Sequence, residues 1–166
     1  MKIAFLHGLE SKAGCDRVSW LKAQGHEVYN PQLFYVWDNS YEKVTEAFSK
    51  NKPDLIIGSS MGGWFAWNLG KDFGIPVLLL NPALHSRILD PEMEPVREQL
   101  TSKVYVALGA KDTVIDPETT VQWLYENDPL DFNPNDIHWG DYSHRTPLHN
   151  FKTVFNKLNL KKLQLC

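Results

Sequence analysis

The segment "PVLLLNP", residues 76–82, limits the fold more than any other part of the chain. Four apolar residues follow one another without polar alternation. A strand wet on one face alternates, so an unbroken run is covered on both faces, as in the middle of a parallel sheet. Parallel neighbours need crossover connections, usually helices. The other predicted strands are "KIAFLH" (2–7), "HEVYNPQL" (26–33), "DLIIGS" (54–59), "KVYVALGA" (103–110) and a short "DIHWG" (136–140). Helical segments lie between them. "GCDRVSWLKAQG" closes on Gly25 as C-cap, "SYEKVTEAFSKN" starts at Ser40, and "SMGGWFAWNLGKDFG" follows the third strand. "DPETTVQWLYEN" has Asp116 as N-cap and Pro117 in its first turn, and "TPLHNFKTVFNKLNL" carries Leu148, Phe151, Phe155 and Leu158 on one stripe. The expectation is an α/β fold with a mostly parallel central sheet flanked by helices on both faces.

A chain of 166 residues, 43% of them hydrophobic, suits one domain over 1–166 with one sizeable core. Residues 83–101 break the β-α rhythm. They are long for a connection and contain Pro91 and Pro95, so a short lid insertion is expected there. The net charge is −3 and no Lys/Arg-rich run occurs, which argues against nucleic acid as a partner. Cys15 and Cys166 are too few for a disulfide framework and fit a reducing compartment. The apolar run in "MKIAFLHG" is too short for a signal core, and no run approaches the length of a membrane span. A cytoplasmic protein without integral membrane association is expected, its oligomeric state open.

In such a sheet, ligands bind beyond the C-terminal ends of the strands. His7, Gly8, Leu9 and Glu10 follow the first strand, Ser59 and Ser60 the third, Asp112 the fifth, and Tyr142, Ser143 and His144 the sixth. Serine, aspartate and histidine are thus expected on one rim, in that chain order. "GSSMG" (58–62) fits G-x-S-x-G, in which the central serine occupies a sharp strand-to-helix turn and the flanking glycines avoid clashes. The register selects Ser60, because Ser59 would need glycines where Ile57 and Met61 stand. A serine hydroxyl is a weak nucleophile until a base takes its proton. His144 can be that base and Asp112 its orienting acid. The N–H groups of Met61 and Leu9 are the expected oxyanion donors.

"FLHGLES", "GSSMGG", "GAKDTVID" and "GDYSH", taken together, resemble the small α/β-hydrolase-fold serine esterases of the YqiA type, from His7 to about His144. The resemblance implies a minimal α/β-hydrolase fold without a large cap, and hydrolysis of a carboxylic ester or thioester through Ser60, Asp112 and His144. Two departures bear on substrate choice. Glu10 places an acid beside the oxyanion loop, and the "DYSH" turn is bulkier than usual. Without a cap, a short acyl group is the expected substrate. Glu10, Tyr35, Trp64, Ile88, Met93 and Tyr142 are the expected lining residues.

Other readings compete at several positions. Ser60 would also serve as a helix cap, though a cap needs no flanking glycines. Asp116 is an alternative acid, better explained as the cap before Pro117. His85, His138 and His149 compete with His144, and His7 reads as a loop-orienting residue. His138, Asp141 and His144 lack metal-site spacing, and the "GSSMGG" loop lacks the G-K-[ST] ending of a phosphate loop. No metal or cofactor is expected. A non-catalytic binding or scaffold protein on the same fold, and an acyltransferase using the same residues, are the alternative functions.

Overall fold

The unbroken apolar run becomes β4 (Val77–Leu80), and all four of its residues are buried. It lies beside β3 (Leu55–Ser59) in the middle of a six-stranded sheet. The computed structural model describes residues 1–9, 11–35, 39–87 and 100–158. Its remaining strands are β1 (Lys2–Leu6), β2 (Glu27–Tyr29), β5 (Val104–Gly109) and β6 (Phe132–Gly140). The order is β2-β1-β3-β4-β5-β6, and every neighbouring pair is parallel.

Alternate residues of the strands feed two cores, because successive side chains point to opposite faces. Ala4, Leu6, Ile56, Leu79 and Val106 pack on one side with α2 (Ser40–Lys50), α3 (Met61–Phe73) and α4 (Pro117–Asn127). Ile3, Phe5, Ile57, Leu78 and Leu80 pack on the other with α1 (Asp16–Ala23) and α5 (Leu148–Lys157). The chain steps from β1 to β2 on one side, then returns to place β3 on the other. That reversal leaves a crevice between the C-terminal ends of β1 and β3, where ligands bind in open α/β sheets.

Two local expectations change. The second strand, expected to be closed by Pro31, ends at Tyr29. Asn30 turns its side chain back to the sheet, donating to the Phe5 carbonyl at 2.7 Å and accepting from Gly14 N–H at 2.6 Å. Pro31 then offers no N–H to continue a ladder. The second helix starts at Ser40 as expected, and the Ser40 hydroxyl accepts from Phe34 N–H at 3.1 Å. The sixth strand starts at Phe132, four residues early, and contains Pro134. An edge strand tolerates that proline, and the register to β5 is irregular between Val104 and Val106. Gly25 does close α1. At φ +84 it allows Gly25 N–H to reach Lys22 O and His26 N–H to reach Leu21 O, a Schellman motif.

Candidate active site

Ser60 stands at the end of β3 and immediately before α3, with φ 54 and ψ −119. L-residues avoid that region, and holding one there costs about 1–3 kcal/mol. Close packing enforces it. A Cβ on Gly58 would lie 2.2 Å from the Gly62 carbonyl oxygen, and one on Gly62 would lie 2.2 Å from the Leu6 carbonyl oxygen. The helix therefore approaches β1 and β3 only because these two positions lack side chains. The turn lifts the Ser60 hydroxyl off the sheet and toward His144.

His144 Nε2 lies 3.1 Å from Ser60 Oγ, and His144 Nδ1 lies 2.8 Å from Asp112 Oδ2. Because the carboxylate can only accept, Nδ1 carries the proton and Nε2 is left to accept from the serine. Asp112 is fixed from its other oxygen, which accepts from Val114 N–H at 2.8 Å and Ile115 N–H at 3.0 Å. Its side chain is 1% exposed and that of His144 is 23% exposed. The chain of bonds thus runs from a buried carboxylate to a half-open ring to a hydroxyl. It ends at a cavity of about 1000 Å³ lined by Gly8, Leu9, Ser60, Met61, Ser143 and His144, among others. Met61 opens α3, so its N–H has no carbonyl of its own helix to bond. Leu9, from the loop after β1, shares the cavity wall with it.

The competing residues go elsewhere. Asp116 caps α4, accepting from Thr119 N–H at 2.7 Å, and that bonding holds its carboxyl below the usual range. His85 lies against the Asp116 carbonyl and the Thr120 hydroxyl. His138 is half-buried on edge strand β6, where burial, with a smaller effect of Lys157, lowers its pKa. His149 is exposed on α5. His7 is buried, with Nε2 accepting from Leu33 N–H at 3.0 Å and Nδ1 donating to the Gly8 carbonyl at 2.8 Å. It orients the loop that carries Leu9. Among the described residues no three His, Cys, Asp or Glu side chains gather as a metal-ligand set.

Three expected lining residues stand behind the cavity wall. Tyr35 is buried, its hydroxyl bonded to the His7 carbonyl, and burial pushes that hydroxyl's pKa well up. Trp64 stacks on Trp67 at 5.7 Å and lies beneath Arg87. Tyr142 is buried, packed where Gly109 and Gly140 leave room. These rings pack against the protein and are not among the residues lining the cavity. Glu10, Ile88 and Met93, and most of the expected lid at 83–101, lie outside the described residues.

Asn81, which the motifs do not point to, belongs to this region. It follows β4, is buried, and has φ 41. Its Nδ2 donates to His144 O at 2.6 Å and more weakly to Ser143 O at 3.3 Å, while its Oδ1 accepts from Gly109 N–H at 2.8 Å. It ties the turn carrying His144 to the strand that leads to Asp112. The available signal was an asparagine, tolerant of positive φ, between a buried strand and a proline.

Residues 2–107 match the Uncharacterised protein family (UPF0227). The chain belongs to that family. The match spans the β1 loop, Ser60 and Asn81, and stops before Asp112 and His144. No curated protein matches this UPF0227 member. Solved structures share its fold. An alpha/beta hydrolase enzyme from the metagenome of lagoon sediments at Mar Chica, Morocco, is 16% identical, with TM-score 0.66 over 99% of this chain and 90% of the other. A monoacylglycerol lipase of Paleococcus ferrophilus is 15% identical, with TM-score 0.63 over 98% and 93%. The esterase domain of a Rhodothermus marinus protein is 13% identical, with TM-score 0.62 over 98% and 86%. The fold is that of the α/β hydrolases, with no large cap evident among the described residues. No helix among those residues is long and apolar enough to cross a membrane.

Proposed function

We propose that the protein is a serine hydrolase that cleaves a small carboxylic ester or thioester through an acyl-enzyme on Ser60. The observation that carries this reading is the hydrogen-bonded line from Asp112 through His144 to Ser60, ending at a cavity. A helix cap has no use for a histidine on its hydroxyl, nor for a histidine held by a buried carboxylate. The fold shared with an esterase domain and a lipase supports the same reading.

In the first half-reaction, Ser60 Oγ bonds to the substrate carbonyl carbon and its proton passes to His144 Nε2. The carbonyl oxygen becomes an anion, and the Leu9 and Met61 N–H groups are its donors in this reading. Collapse breaks the carbon–oxygen or carbon–sulfur bond, and His144 returns the proton to the leaving group. Water then repeats the sequence on the acyl-serine and releases the acid. Asp112 keeps the proton on Nδ1 and stabilises the transient imidazolium. The reaction needs no metal or cofactor, so thorough chelation leaves turnover intact.

Initial rates on p-nitrophenyl esters and a matched thioester test this. The reading predicts saturable turnover with a burst of leaving group equal to the enzyme present, and a preference for short acyl chains. Absence of turnover on every ester and thioester would favour a binding protein instead. Acyl transfer to added alcohols in place of hydrolysis would favour an acyltransferase.

A further inference from the structure

We propose that the substrate carries an anionic oxygen group, a carboxylate or phosphate, and that Arg17 binds it. This inference rests on the hydrolase reading and concerns the same cavity. Arg17 belongs to the first turn of α1 and lines the cavity that holds Ser60 and His144. Its side chain is only 17% exposed. It is held from two sides, by the Phe5 ring 5.7 Å from its guanidinium carbon and by a hydrogen bond of 3.2 Å from a terminal nitrogen to the Thr146 carbonyl. Its Nε is buried without a hydrogen-bond partner.

Among the described residues the positive charge of Arg17 is poorly balanced. Its ion pair among the described residues is with Asp16, whose carboxylate lies 3.9 Å from Nε on a side chain 63% exposed. A charge taken largely out of water is costly unless it is paired and hydrogen-bonded. A guanidinium fixed in orientation, with donors left over and a cavity in front of it, is suited to a planar carboxylate or to a phosphate. The described part of the rim has the same sign. Lys12 and Arg145 line the cavity as well, whereas Asp16 is the acid among its described lining residues. This concentration of cations occurs in a chain with net charge −3. Such a cavity raises the local concentration of anionic substrates. Arg145 and Thr146 directly follow His144, so an anion on Arg17 lies close to the turn that carries the base.

The test compares kcat/KM within matched pairs of esters. In one pair the charge sits on the acyl side: p-nitrophenyl butanoate against the p-nitrophenyl monoester of glutaric acid. In the other it sits on the leaving group: phenyl butanoate against its meta-carboxylate. The anionic member of at least one pair is expected to be favoured by about ten- to a hundredfold, the range of one charge-assisted hydrogen bond. The preference should shrink as salt is raised. It should collapse toward unity in Arg17→Gln and survive in part in Arg17→Lys. Because both rates of a pair are measured on one preparation, partial misfolding cancels in the ratio. Equal rates within both pairs, or a preference unchanged in Arg17→Gln, would overturn the inference and leave the hydrolase reading standing. No turnover of any of the four esters would overturn both.

Discussion

The two edges of the sheet each hold a carboxylate-centred polar network, and they end differently. At the N-terminal edge, Lys71 of α3 pairs with Asp128 and Asp131, both of them well buried. Asp128 also accepts from Trp67 Nε1 at 2.7 Å, and Asp131 from Ser102 N–H at 2.9 Å. Every group there faces another group of the protein. At the C-terminal edge, Asp112 is bonded as thoroughly, yet the chain it starts runs through His144 to a hydroxyl that faces open space. Burying charge and hydrogen bonds does not by itself mark a site. What marks one here is a polar chain whose last member has no fixed partner beyond the base, on a strained turn, beside a cavity.

Mutations should separate the two edges. The largest effect is expected from Ser60→Ala, which should lower ester turnover by about four to six orders of magnitude, because residues of such a unit fail together. The thermal midpoint should move by only about two degrees. Next, Asp112→Asn should lower kcat by about 10⁴, since an amide can favour the wrong imidazole tautomer. The N-terminal edge should invert this pattern. Asp128→Ala leaves Lys71 short of one counter-charge and should cost about 3–5 kcal/mol in denaturant unfolding, with kcat per folded molecule unchanged. A loss of turnover in the folded fraction of Asp128→Ala would erase the distinction between the edges. Asn81→Ala sharpens it by belonging to both patterns. It removes the tie between His144 and Gly109, so a loss of about 1–3 kcal/mol should accompany a roughly tenfold fall in kcat with little change in KM.

Much of this was legible in residue order, for physical reasons. The all-apolar "PVLLLNP" reported a central strand because burial on both faces leaves no place for a polar residue. "GSSMG" reported Ser60 because helix and strands touch where Gly58 and Gly62 lack side chains. Strand ends were less legible, since Asn30 and the early start of β6 depend on which neighbour offers a hydrogen bond. The cavity wall was misjudged at Tyr35, Trp64 and Tyr142. Sequence places an aromatic ring at a rim without saying whether it faces the ligand or supports the loop. The Lys71 network was also hidden, because Asp128 and Asp131 lie 57 and 60 residues away in the chain.

The central claim is that Ser60 is the nucleophile, and covalent labelling addresses it most directly. A fluorophosphonate reacts with a serine only when a base and oxyanion donors activate it. Intact-mass measurement followed by peptide mapping should find one adduct per chain, on Ser60. The adduct should be lost in Ser60→Ala and kept in Ser59→Ala. No adduct on the folded protein, or an adduct on Ser59 that survives Ser60→Ala, would contradict the account.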